Sequence, residues 1–253
     1  MKKHLVMLHG FGCDSRIFNS IASKLSKDYD PVIVDLPGHG QTKEKFGDFS
    51  FCAYTLLNVL DQFLNEPCHL LGWSMGGQIA LEMFKQKSSH KCQDEQCHHN
   101  PIESLILISS TPKFVESKDF RIGMNKAVFN KFKKGIKNDT SKTMDDFYGL
   151  IFSKEEDSSD HLNFIKSLVP SPQTLFDCME SFEKFDERNI LPGVSIPTLI
   201  ISGDKDGIIS PKASMYMSQE IKGSVIKIFK DCGHAPFLIK EKEVVDELSR
   251  FLG

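Results

Sequence analysis

Six short apolar runs, each ended by turn residues or a strong polar break, constrain this chain more than any other feature. They are LVML (5–8) before His9 and Gly10, PVIVDL (31–36) before Pro37 and Gly38, CHLLG (68–72) before Trp73, LILIS (105–109), TLIIS (198–202) and SVIKIF (224–229). Continuous runs without polar alternation suit strands covered on both faces, and strands alternating with longer helical patterns are the rhythm of βαβ units. The expectation is an α/β fold with six strands in one mostly parallel sheet. Helices expected over 17–27, 53–64, 75–85 and 243–252 would cover its two faces, the last with Val244, Val245, Leu248 and Leu252 at helical spacing.

Between Pro112 and about Glu187 the strand rhythm stops. Phe120, Met124, Val128, Phe129 and Phe132 are spaced for one apolar helix face, so this segment reads as a helical cap inserted after the fourth strand. The expected division is a first core part over 1–111, a cap over 112–187, and a second core part over 188–253. Residues 113–150 carry nine basic and five acidic side chains, whereas 151–187 carry three and nine, so the cap has a basic half and an acidic half. Such charge runs are solvated helix faces unless a partner is independently implied. There is no internal repeat.

Composition removes whole classes of function. A net charge of -3 over 253 residues leaves no basic excess to hold a phosphate backbone, which argues against nucleic-acid binding. Seven cysteines are an odd number in a chain long enough to fold without staples, and they read as reduced thiols of a cytoplasmic protein. The apolar stretch before His9 is too short for a signal peptide, and no run approaches the roughly 20 apolar residues of a membrane helix. A monomer is expected.

The chemistry is carried first by Gly72-Trp73-Ser74-Met75-Gly76-Gly77, between an apolar run and an amphipathic one. It fits the G-x-S-x-G elbow, in which small neighbours let a serine occupy a strained strand-to-helix turn near free helix N–H groups. His9-Gly10-Phe11-Gly12 follows the first strand, where a glycine turn can aim the Phe11 N–H at the serine as one oxyanion donor while Met75 N–H supplies the other. His9 itself reads as a supporting hydrogen-bonding residue. After the fifth strand comes Gly203-Asp204-Lys205-Asp206-Gly207, and after the sixth Cys232-Gly233-His234. Ser, Asp, His is the chain order required for Ser74 as nucleophile, His234 as base and an aspartate that fixes the imidazole tautomer. From the residues alone Asp204 and Asp206 both remain open for that last role, and Cys232 reads as local packing.

With these motifs in place the chain resembles the α/β-hydrolase superfamily over nearly its whole length. L-V-M-L-H-G-F-G, V-D-L-P-G-H-G, G-W-S-M-G-G, I-S-S-T-P-K-F, G-D-K-D-G-I-I-S-P and G-H-A-P-F-L further resemble the BioH family, the pimeloyl-(acyl-carrier-protein) methyl ester esterases of biotin synthesis. The resemblance implies an α/β-hydrolase fold and a serine carboxylesterase needing no cofactor and no metal. It assigns Asp206 and His234 as partners of Ser74, Phe11 and Met75 as oxyanion donors, and Phe11, Trp73 and Phe147 as substrate contacts. It implies an acyl-carrier protein as partner, for which Lys131, Lys133, Lys134, Lys137 and Lys142 are the available basic residues. A short-chain carboxylesterase or acyl hydrolase acting without a carrier is the alternative, and a non-catalytic binding module ranks last.

Three departures bear on the substrate more than on the fold. The family's leading hairpin is missing, so the sheet should be shorter at one edge. Its cap arginines are not reproduced: Lys142 stands near their places beside Asp146, followed by acidic Glu155-Glu156-Asp157. A polar insertion over 90–99 contains Cys92, Cys97, His98 and His99, whose spacing is poor for a structural zinc site and reads better as a solvated loop.

Overall fold

The computed structural model describes residues 2–64, 66–89, 102–152 and 158–253. The insertion over 90–99, with Cys92, Cys97, His98 and His99, lies outside the described residues. Among the described residues six strands form one sheet: β1 (His4–Leu8), β2 (Asp30–Val34), β3 (Cys68–Trp73), β4 (Ile102–Ile108), β5 (Thr198–Gly203) and β6 (Val225–Phe229). All five pairings are parallel, in the order β2-β1-β3-β4-β5-β6. Every residue of β3 and β5 is buried, as continuous apolar runs require when helices cover both faces.

The edges depart from that rule. On β6, Val225, Ile226 and Ile228 are exposed, because an edge strand at the end of a twisted sheet has less helix over it. The apolar run located the strand correctly but overstated its burial.

Helices α1 (Asn19–Leu25), α2 (Phe49–Phe63), α3 (Met75–Ser89), α8 (Pro211–Glu220), α9 (Pro236–Ile239) and α10 (Glu241–Leu252) belong to the sheet layers, and α4 (Lys126–Asn138), α5 (Thr140–Tyr148), α6 (Ser159–Lys166) and α7 (Pro172–Lys184) lie between β4 and β5. Local chemistry sets several starts. Asp48 accepts from Phe51 N–H to cap α2, and Asp139 accepts from Lys142 N–H to cap α5. Ser171-Pro172 opens α7 and Ser210-Pro211 opens α8, each a serine cap before a proline whose missing N–H needs no partner. Helix α8 was missed in the sequence reading, although that Ser-Pro pair signals it.

The first turn of the inserted segment also corrects the sequence reading. Phe120 and Met124 are not on a helix. They lie in a looped stretch pinned by isolated bridges Val115↔Met124 and Ser117↔Phe120, and α4 begins only at Lys126. Val128 is exposed, so the buried face of α4 is formed by Phe129 and Ile136, with Phe132 half-buried. Among the described residues no helix is long and apolar enough to cross a membrane, and Cys13, Cys52, Cys68, Cys178 and Cys232 are buried and not in disulfides.

The chain passes from β1 to β2 on one side and then returns to β3 on the other. Neighbouring crossovers therefore leave in opposite directions above β1 and β3, which opens a crevice at their C-terminal ends. The loops after β1, β3, β5 and β6 all emerge at that end.

Candidate active site

Ser74 follows the last residue of β3 and has φ of 54°, a left-handed conformation costly for a side chain with a Cβ, by about 1–3 kcal/mol. Two glycines make the turn feasible. A Cβ on Gly72 would lie 2.4 Å from the Gly76 carbonyl oxygen, and one on Gly76 would lie 2.1 Å from that of Leu8. The helix thus starts in backbone contact with β1, and its first N–H groups, Met75 among them, have no partner one turn earlier.

His234 completes a relay. Its Nε2 lies 2.9 Å from Ser74 Oγ and its Nδ1 2.7 Å from Asp206 Oδ2. The other oxygen, Asp206 Oδ1, accepts from the N–H groups of Ile208 and Ile209, each at 2.9 Å. The carboxylate is therefore fully hydrogen-bonded and its side chain has no solvent exposure. With Asp206 accepting, the proton sits on Nδ1 and Nε2 is left bare to accept from the Ser74 hydroxyl. Asp204, the competing acid, is exposed; its Oδ1 accepts from Cys232 N–H at 3.3 Å and braces the turn.

The His234 loop is fixed from two sides. Trp73 Nε1 donates to the His234 carbonyl at 2.9 Å, and His234 N–H donates to the carbonyl of Ile151, from the inserted segment, at 2.7 Å. Trp73 is 1% exposed and packs on the rings of His234 and Phe237. Its indole thus braces the His234 loop.

The loop after β1 is held just as firmly. His9 accepts at Nε2 from Leu36 N–H at 3.1 Å, so its proton is on Nδ1, which donates to the Gly10 carbonyl at 2.9 Å. That carbonyl and the Phe11 N–H belong to one planar peptide and point in opposite directions, so His9 orients the Phe11 N–H. A Cβ on Gly10 would stand 3.3 Å from Ser74 Cβ, which shows how closely this loop passes the serine. At Gly12, with φ of 76°, the carbonyl accepts from the Tyr148 hydroxyl of α5. The sequence reading placed His9 as a support but missed Tyr148 and the Ile151 carbonyl. The only signal for them is their adjacency to Phe147.

Burial pushes His9 down to about 4, so it is neutral in the folded protein. The folded value lies below the unfolded one of about 6.5. As pH falls, the unfolded chain binds that proton first, so the contribution is whole above pH 6.5 and is lost progressively toward pH 4. It amounts to about 3 kcal/mol. The urea midpoint should fall between pH 7 and pH 5, before carboxylates titrate; a flat profile would contradict a neutral buried His9.

Aromatic side chains gather around Phe11, in the loop that passes Ser74. The Phe11 ring meets Phe147 at 5.3 Å, Phe182 at 5.7 Å and Phe132 at 6.0 Å, all from the inserted helices, and Phe132 stacks on Phe147 at 5.4 Å. The basic residues are unequal. Lys133 is engaged by Glu180 and Glu183, and Lys142 by Asp146. Lys131, Lys134 and Lys137 are exposed on α4. Among the described residues no group of three metal-ligating side chains gathers.

A sequence model of the alpha/beta hydrolase fold matches residues 3–241. The chain belongs to the α/β-hydrolase family. Within it this hydrolase is 30% identical to a pimeloyl-[acyl-carrier protein] methyl ester esterase of Nitrosomonas europaea, over 92% of this chain and 89% of that protein. It is 28% identical to a protein of the same name from Nitrosospira multiformis, over 98% and 93%. Among solved structures, an esterase from Exiguobacterium antarcticum superposes with a TM-score of 0.89 and 25% identity, covering 99% of this chain and 92% of that one.

Proposed function

We propose that this hydrolase is a serine carboxylesterase that removes the methyl ester of a pimeloyl group carried on acyl-carrier protein, with Ser74, His234 and Asp206 as its catalytic residues. The observation that carries the reading is the unbroken hydrogen-bond relay from Asp206 through His234 to Ser74 at the elbow. The two relatives just described, named for that activity, support the substrate.

The steps follow from the geometry. Ser74 Oγ attacks the ester carbonyl as His234 Nε2 takes its proton, and the charge on the carbonyl oxygen is met by the Phe11 and Met75 N–H groups. His234 returns the proton to the leaving methanol, forming the acyl-serine. Water then attacks with the same base, and the free carboxylate leaves. Acyl transfer of this kind requires no metal or organic cofactor. Phe11 and Phe147, with Phe132 and Phe182, supply an apolar wall for the methylene chain, under a cap spanning 112–187. Trp73 contributes by holding the base. The enzyme works as a cytoplasmic monomer.

An acidic carrier would meet Lys131, Lys134 and Lys137, which are exposed on α4, while Lys133 and Lys142 are already ion-paired. The expected result is that wild type cleaves methyl pimeloyl-carrier protein, and that reversing these three lysines to glutamate raises KM for it about tenfold or more, leaving free methyl esters unaffected. Equal kinetics in the triple variant would remove these lysines from the reading, and failure to cleave the carrier substrate while free esters are hydrolysed would remove the carrier.

A further inference from the structure

Gln78 lies one turn after Ser74 on α3 and is completely buried, yet neither its amide nitrogen nor its amide oxygen has a hydrogen-bond partner among the described residues. A bare amide in a protein interior is among the more expensive groups to bury, and leucine or methionine would fill the same space without that penalty. The group therefore calls for a ligand, and its position says which part of the molecule would supply one.

Residues four and seven apart share a helix face, so Gln78, Glu82 and Lys85 form one stripe along α3, which begins directly after Ser74. The far end of the stripe is located by its contacts. Lys85 bridges Glu82 and Glu187, where the inserted segment rejoins the core, and Glu82 and Lys85 line an open cavity together with Phe49, Ser181 and Phe185. The Phe49 ring meets Phe182 at 5.2 Å, and Phe182 meets Phe11 beside the serine. Gln78 is thus one helical turn from the reacting serine, on the same stripe as the two residues that line that cavity, and Phe11, Phe182 and Phe49 link the two ends.

We infer that Gln78 is a specificity residue whose amide donates to the second carbonyl of a dicarboxylic acyl substrate, the first carbonyl being the ester attacked by Ser74. Four residues of helix advance about 6 Å, to which the glutamine side chain adds its own reach. Six carbon–carbon bonds of about 1.5 Å set the two carbonyl carbons of an extended seven-carbon diacid roughly 7–8 Å apart. The match rests on the proposed esterase reading and deepens it: the enzyme would select an acyl chain for its distal carbonyl as well as for its methylenes.

The test uses two soluble esters of equal chain length, dimethyl pimelate and methyl heptanoate, which differ in the distal carbonyl group. Wild type should favour dimethyl pimelate in kcat/KM by about tenfold, beyond the twofold statistical advantage of its two ester ends. Gln78→Met, equal in length but without the amide, should bring the ratio close to that twofold value by losing activity on the diester while hydrolysing methyl heptanoate as well as before. Retained methyl heptanoate activity also shows that the variant folds; Gln78→Leu is the second choice if it does not. A wild type with no preference, or a ratio unmoved by either variant, would overturn the inference and leave the amide to an internal water. Hydrolysis abolished on both esters by Ser74→Ala keeps the parent reading separate, and a wild type that cleaves neither ester nor the carrier substrate would overturn both.

Discussion

Ser74→Ala should lower kcat/KM on every ester the enzyme cleaves by roughly 10⁵- to 10⁶-fold. In the proposed mechanism the hydroxyl is the nucleophile: His234 Nε2 stands 2.9 Å from Ser74 Oγ, and the imidazole is locked in the tautomer that leaves this nitrogen bare. What survives is the stabilisation by the Phe11 and Met75 N–H groups and by binding, worth about 10³- to 10⁴-fold over water in serine hydrolases. Cys232 offers no substitute, since it is fully buried on the loop before the base. The fold should be unaffected, because alanine has the same Cβ that Ser74 already places at positive φ. Single-turnover assays of purified wild type and variant, beside thermal melts of both, would check this; residual activity above about 1% with an unchanged melt would remove Ser74 from the nucleophile's role.

Asp206→Asn should cost about 10⁴-fold in kcat with little change in KM. Asparagine can keep its oxygen toward the N–H groups of Ile208 and Ile209, but its amide then donates to His234 Nδ1. That places the imidazole proton on Nε2, where it can no longer accept from Ser74. Asp204→Asn provides the contrast. Its carboxylate accepts a bond from Cys232 N–H, which an amide oxygen also accepts, so its kcat should stay within about threefold of wild type. Steady-state kinetics on the pair decide between the aspartates, and an equal loss in both, or a larger one in the Asp204 variant, would reverse the assignment.

Much of this was legible in the chain because it rests on near-neighbour chemistry. Apolar runs locate all six strands, since a strand covered on both faces needs no polar alternation. The elbow was legible for the same reason: the glycines flanking Ser74 are required by contacts of 2.4 Å and 2.1 Å that any larger residue would make with backbone. Where the reading failed, a local pattern was overruled by packing. Phe120 and Met124 fit a helical period, yet bridges to Ser117 and Val115 hold them in a loop. Val225, Ile226 and Ile228 read as buried strand but lie exposed at the sheet's edge.

The sequence by itself determined the α/β class, the strained serine and the order in which serine, acid and base arrive. It left Asp204 and Asp206 two positions apart with the same chemistry, and only the tertiary structure brings one carboxylate to His234 and turns the other to the Cys232 amide. It also could not show that Tyr148 reaches Gly12, that Ile151 holds the His234 backbone, that Glu180 and Glu183 engage Lys133, or that the Gln78 amide is buried without a partner among the described residues. The reason is physical. Turn and strand signals depend on the backbone preferences of adjacent residues, whereas Ser74 and His234 are 160 positions apart and Tyr148 and Gly12 are 136 apart. Contacts at such separations exist only after six strands have paired in one order and the inserted helices have closed over their ends.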